Sequence, residues 1–236
     1  MNNIAVIGAS GAIGGALIRQ LAFNHPESEI RAFSRSPTQF DLPNVHSSHI
    51  DLLDEMSIEM AAGSVENALS LIIIASGILH DDQVSPEKSM RELSVQKFEQ
   101  LFAVNTIGPS LAIKHFAPKL DRKEPSALAV LSARVGSISD NQLGGWYAYR
   151  ASKAALNMVI KTASIELARR NKSAAIVGLH PGTVDSKLSE PFQSNVPDGK
   201  LFSPDHSADM MLKVLVDLKA ADTGFVFDFN GKRIPF

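Results

Sequence analysis

The chain has 236 residues and a formal net charge of −2, with 44% apolar and 20% charged residues, ordinary values for one globular domain. No basic run exceeds Arg169-Arg170, so the electrostatic footprint for a nucleic-acid partner is missing. With no cysteine, disulfides, thiolate metal sites and cysteine nucleophiles are excluded.

The seven histidines show no metal-ligand spacing, so no metal site is expected. The amino terminus enters an apolar run directly, and no run of about 18 apolar residues exists to span a bilayer. The expectation is no membrane partner and a cytoplasmic location.

Strand-like runs occur at 3–7, 29–33, 44–50, 68–75, 126–132, 174–180 and 223–229. Helix-like segments lie between them, the clearest at 12–24, 94–120 and 147–171. "LIIIA" is continuously apolar, as when both faces of a parallel sheet are covered. The alternation predicts a single-domain, Rossmann-type α/β fold over 1–236: a doubly wound, mainly parallel seven-stranded sheet with helices on both faces. Segments 79–92 and 187–204 are richest in turn residues, and 187–204 is the candidate substrate lid. Phe192 and Phe202 in that lid point to an apolar or aromatic-tolerant substrate.

In such sheets ligands bind beyond the carboxyl ends of the strands. After the first strand comes Gly8-Ala9-Ser10-Gly11-Ala12-Ile13-Gly14, with a helix starting inside it. Glycines let backbone approach a pyrophosphate, whose charge suits a helix amino terminus, so Gly8, Ser10, Gly11, Ala12, Ile13 and Gly14 are candidate nucleotide contacts. The second strand ends in Ser34 and Arg35 with no acid to select a ribose 2′-hydroxyl, which favours NADP(H) over NAD(H). Asp51 and Leu52, after the third strand, either hold an adenine edge or cap the next helix.

The only tyrosines are Tyr147 and Tyr149, with Lys153 close behind. Positions four apart share a helix face, so Tyr149 lies one turn from Lys153, whereas Tyr147 points elsewhere. A nearby ammonium favours the phenolate, and a phenol so tuned exchanges a proton with a carbonyl or alcohol oxygen as hydride moves to or from a nicotinamide.

With these motifs, "GGWYAYRASKAALN" and "FDFNGKRIPF", the chain resembles the short-chain dehydrogenase/reductase family over nearly its whole length, and especially its C-factor-type, sniffer-like branch. The resemblance implies Tyr149 as proton donor and acceptor, Lys153 as its electrostatic partner and ribose ligand, and Asn105 of "VNTIG" as support for a proton relay. It assigns Pro181 and Gly182 to the nicotinamide wall, Val184 to its carboxamide, and Ser186 to the family's threonine. It also implies a small-molecule carbonyl or alcohol substrate, and a homodimer or homotetramer through the long helices.

Three departures matter. The family's "NNAG" reads Ile74-Ala75-Ser76-Gly77, leaving Ala75, Ser76 and Gly77 as close backbone neighbours of the cofactor. Ala12 replaces the middle glycine of the usual loop. The "SSxxG" motif reads Ser132-Ala133-Arg134-Val135-Gly136, with Ala133 at the catalytic count. Ser132 is the expected oxygen-binding donor, provided irregular backbone turns it inward; Ser137 lies nearby. The weakened motif leaves room for an alternative, a nucleotide-binding redox sensor or C-factor-like signalling protein with little turnover.

Overall fold

The structure, a computed structural model, describes residues 2–82 and 84–236. β1 (Asn3–Ile7), β4 (Leu71–Ile74), β5 (Ser126–Leu131) and β6 (Ala174–His180) lie at the centre of the sheet and bury apolar side chains on both faces. Successive side chains alternate between faces, and each face has its own core. Ile4, Val6 and Ile73 meet α1 (Ala12–Asn24) and α6 (Pro204–Val216). Ala5, Ile7 and Ile72 meet α2 (Glu55–Gly63), α4 (Gly108–Phe116) and α5 (Tyr147–Ala168). The start of α2 is fixed by Asp54, whose side chain accepts from Met56 N, and that of α6 by Ser203, which accepts from His206 N.

With β2 (Glu29–Ser34), β3 (Val45–His49), β9 (Val226–Asp228) and β10 (Arg233–Ile234), the order across the sheet is β10-β9-β6-β5-β4-β1-β2-β3. All pairings are parallel except β9 with β10. The expected seven strands are therefore eight. Gly231, at φ 76°, turns the chain back so that Arg233–Ile234 pairs with Val226–Phe227. Two residues are too few to show a period of two, which is why this strand escapes a reading of pattern. Strand order reverses between β1 and β4, and the crevice at their carboxyl ends opens there.

The segment expected as one helix over 94–120 is divided. α3 (Val95–Phe102) passes through a π-helical turn, Ala103–Ile107, into α4, and a 3₁₀ turn over Ala117–Lys119 follows. Pro109 has no N–H to give the carbonyl four residues back, at Asn105, so the regular ladder cannot continue there. A wider turn of this kind often marks a functional site, and Asn105 lies inside it.

The segment 185–200 is bracketed by β7 (Thr183–Val184) and β8 (Leu201–Phe202), which pair in parallel as a small separate sheet. A 3₁₀ turn over Glu190–Asn195 lies inside the bracket. Among the described residues no helix is long and apolar enough to cross a membrane, and no group of three acidic or histidine side chains is arranged to hold a metal.

Candidate active site

The turn after β1 is drawn tightly against its neighbours. Gly8 and Ala9 both donate to Phe33 O, at 2.8 and 3.0 Å, and Gly11 N donates to Gly8 O at 3.0 Å. A Cβ on Gly8, at φ 94°, would sit 2.6 Å from Ala75 O, and one on Gly14 would sit 2.1 Å from Gly8 O. These glycines are thus required by backbone packing. Gly11 caps α1 without any side-chain bond, and Ser10, Gly11 and Ala12 are exposed beside a half-buried Ile13. The first-turn amides consequently face outward, the arrangement that accepts an anion. Beside this turn the buried Ser76 hydroxyl has no hydrogen-bond partner among the described residues, and Ala75 N is tied to Ile7 O at 2.7 Å. A ligand against the Gly8–Gly14 loop fits both observations.

At the end of β2, Ser34 Oγ donates to Ser36 O at 2.9 Å. Arg35 is exposed, its carbonyl held by His49 Nδ1, and its guanidinium forms no ion pair among the described residues. Asp51 accepts the Leu53 N–H at 2.9 Å within its own turn, and the cap of α2 is Asp54. Leu52 packs its carbonyl against Gly108, where a Cβ would approach to 2.8 Å.

Tyr149, Lys153 and Asn105 are all buried, at 8%, 3% and 0% exposure. Lys153 Nζ donates to Leu131 O at the end of β5, at 3.0 Å. A Cβ on Gly77 would lie 3.2 Å from both Lys153 Nζ and Asn105 Oδ1, so amine and amide converge over that glycine. Asn105 is locked by both backbone groups of Ile78, accepting at 2.8 Å and donating at 2.9 Å. Its amide also donates to Ser152 Oγ at 3.2 Å, and that hydroxyl donates to Tyr149 O at 2.8 Å. Thr106 Oγ1 donates to Ser152 O. Ser152, beside Lys153 on the buried face of α5, thereby links Asn105 to the backbone of Tyr149. Tyr147 is half-buried and lies outside the cluster around Tyr149.

A model of the family described as short chain dehydrogenase matches residues 2–197. The chain belongs to this family. It is an NAD(P)-dependent oxidoreductase, and the match runs from the glycine loop into the bracketed segment after β7. C-signal of Myxococcus xanthus is 36% identical over 135 residues, covering 57% of this chain and 76% of that protein. The NADPH-bound carbonyl reductase from chicken fatty liver superposes with a TM-score of 0.84 at 25% identity, over 100% of this chain and 99% of the other. Carbonyl reductase Sniffer of D. melanogaster shares the fold, with a TM-score of 0.86 at 22% identity over the whole of both chains. C-signal and a Sniffer carbonyl reductase among the matches agree with the C-factor-type, sniffer-like branch that "GGWYAYRASKAALN" and "FDFNGKRIPF" suggest.

This dehydrogenase departs from its family at the serine. Ser132 Oγ donates to Asn157 Oδ1 at 2.6 Å, deep in the contact between β5 and α5, while Ser132 N is held by Leu179 O. The expected inward turn does not occur: Ala133 keeps extended backbone, φ −149° and ψ 146°, so alternation sends neighbouring side chains to opposite sides. Ala133 belongs to the buried cluster that holds Tyr149 and Ala148. The position facing the phenol's surroundings is thus a methyl group.

An aromatic wall adjoins the dehydrogenase's tyrosine. Trp146 lies 6.2 Å from Tyr149 and 5.1 Å from Phe192, ring centre to centre, and His80 lies 5.6 Å from Phe192. His80 Nε2 donates to the carbonyls of Lys187 and Leu188, tying segment 79–92 to the bracketed segment. Phe202 instead packs on Phe229 and His206, near Gly182, whose φ is 78°. Pro181 O accepts from Ser207 Oγ, Val184 is buried, and Ser186 Oγ bonds back to Val184 O. Burial lowers His180 to about 4, so its imidazole is neutral, and its Nδ1 has no hydrogen-bond partner among the described residues.

Burial pushes the Tyr149 phenol up to about 12 and the Lys153 amine down to about 8. Loss of hydration disfavours whichever form is charged, and this reverses the expected lowering of the phenol. At neutral pH Tyr149 therefore holds its proton. For Lys153, the unfolded chain binds a proton between about 8 and 10.5 that the folded chain has released, so stability should rise with pH across that window. Lys153→Met should remove the rise. Urea unfolding of both proteins should show wild type gaining on the order of 2 kcal/mol relative to the variant between about pH 8 and 10. Parallel pH curves would contradict the burial of the amine.

Proposed function

We propose that this dehydrogenase uses NADP(H) to interconvert a carbonyl and an alcohol, with Tyr149 exchanging the proton. The observation that carries the proposal is the convergence of Lys153 Nζ and Asn105 Oδ1 over Gly77, with a buried phenol one helical turn from the amine. The uncapped first turn of α1 and the orphaned Ser76 hydroxyl suit a pyrophosphate at the loop. The exposed, unpaired Arg35, with no acid at the end of β2, suits a 2′-phosphate, and the chicken-liver carbonyl reductase binds NADPH on the same fold. When bound, the nicotinamide supplies or accepts the hydride. Lys153 would hold its ribose, Pro181 and Gly182 would form the wall beside the ring, Val184 would meet its carboxamide, and Ser186 would stand where the family has a threonine.

Tyr149 already carries the proton that a reduced substrate oxygen must receive, so its charge state at neutral pH suits reduction. Asn105, fixed by both backbone groups of Ile78, would support a proton-relay water that returns that proton. With Ala133 in place of a hydroxyl, one donor to the reacting oxygen is missing, an effect worth about 3 kcal/mol in sites that have it. Segment 187–204 serves as the lid of a single catalytic domain. Phe192, Trp146 and His80 favour a flat apolar or aromatic carbonyl. A second reading, nucleotide binding for signalling with little turnover, is favoured by Ala133 and by the match to C-signal.

Turnover of NADPH should be measured with a panel of aromatic aldehydes, ketones and quinones. Tyr149→Phe should lower kcat/KM by about 100- to 10,000-fold while NADPH binding persists, and Ala133→Ser should raise kcat by about 100-fold. Undiminished turnover in Tyr149→Phe would contradict the acid/base assignment. Tight NADPH binding without turnover on any substrate supports the second reading. Separately, ligand at about 100 times its Kd stabilises a fold by about 2.7 kcal/mol. NADPH should raise Tm more than equimolar NADH, and Arg35→Ala should abolish the difference; equal shifts in wild type would contradict the role of Arg35.

A further inference from the structure

Helix α5 carries Tyr149 in its first turn, yet it has no cap of its own. Its N-cap residue is Trp146, held at φ 50° and offering no side-chain acceptor. Gly144 and Gly145 before it are also left-handed, at φ 64° and 65°. A serine or aspartate at position 146 would cap the helix locally. An indole stands there instead, and the task falls to a residue about 60 positions earlier in the chain.

That residue is Glu87, in the segment between β4 and α3, and it is 0% exposed. Its backbone carbonyl accepts from Trp146 N at 2.6 Å, and its Oε2 accepts from Ala148 N at 3.3 Å. One residue thus takes up the two amides on either side of Tyr147, and the carboxylate sits at the positive end of α5. Its other oxygen, Oε1, has no hydrogen-bond partner among the described residues. From the opposite side, Arg150 Nε donates to the carbonyls of Gly144 and Gly145, and its Nη1 donates to Val135 O. The turn that points the Trp146 ring at Tyr149 and Phe192 is therefore clamped between Glu87 and Arg150.

We propose that Glu87 is a positioning residue: it caps α5 and thereby sets both the Tyr149 phenol and the Trp146 face of the substrate wall. This rests on the reading of Tyr149 as acid/base, and it goes beyond that reading by giving the 79–92 segment a role in catalytic geometry. Misplacement of a reacting group by about 1 Å can cost about 100-fold in rate, so the cap acts on kcat. The nucleotide loop at Gly8–Gly14 is built from other elements and is unaffected.

The test compares Glu87→Ala and Glu87→Gln with wild type, each checked for a native circular dichroism spectrum. Trp146 is the only tryptophan, so its emission reports this turn directly. Glu87→Ala should lower kcat about 10- to 100-fold and shift the Trp146 emission, with the Kd for NADPH within about twofold of wild type. Glu87→Gln keeps an acceptor for Ala148 N and should recover most of both losses. Wild-type kcat and emission in Glu87→Ala would overturn the proposal, as would NADPH affinity falling in step with kcat. If Glu87→Ala does not fold, Glu87→Asp, which falls one methylene short, takes its place with the same expectations and the same overturning results. Should Tyr149→Phe retain turnover, the acid/base reading falls by itself, and Glu87 is then judged by the Trp146 emission alone.

Discussion

A phenol and an amine, one helical turn apart on α5, are withdrawn from water together, and the rest of the site follows from what that demands. Desolvation drives each toward its neutral form, up to about 12 for Tyr149 and down to about 8 for Lys153. An unpaired charge buried here would cost several kcal/mol, so the amine is given an acceptor, Leu131 O, at the end of β5. Gly77 leaves room for the amine from one side, and Gly136 lets the backbone of α5 approach from another: a Cβ on Gly136 would lie 2.8 Å from Lys153 C. Small residues are needed because the helix carrying the chemistry is pressed onto the strand ends.

The sheet supplies the order that makes this possible. Parallel strands bring the ends of β1, β4, β5 and β6 to one edge, and the reversal at β1 and β4 opens the crevice. The same alternation that builds two separate cores also decides which residue of 132–133 meets the phenol's cluster. Ser132 goes to Asn157 and Ala133 to Tyr149. A difference of one position along a strand removes a donor from the chemistry and turns it into a helix–sheet fastener. Asn105 is protected from that uncertainty because the π-helical turn and two bonds to Ile78 fix it.

Much of this was legible in the sequence wherever a short-range rule governs. The spacing from Tyr149 to Lys153 is a property of any helix, and the strand–glycine–helix order around Gly8 depends on near neighbours only. The seven longer strands were legible as short strand-like runs, even β3, whose VHSSH is mostly polar. What escaped depends on distant segments or on very few residues. β10 has two residues, and the π-helical turn is a local departure within an otherwise periodic stretch. Glu87 meets α5 across about 60 positions. The upward shift of the phenol is not legible in the sequence, because proximity of a cation is visible there, whereas burial by Leu79, Val84, Leu101, Phe98 and Phe192 is not.

The central claim is that Tyr149 is dry and keeps its proton, and it is tested most directly by titrating that one phenol. Tyr147→Phe leaves Tyr149 as the sole tyrosine. Its phenolate absorbance should be followed with pH in the cofactor-free protein, within the range where circular dichroism stays native. The account predicts a phenol still protonated at about pH 10, where a free one is half ionised. Ionisation centred at or below that pH in the folded protein would contradict it.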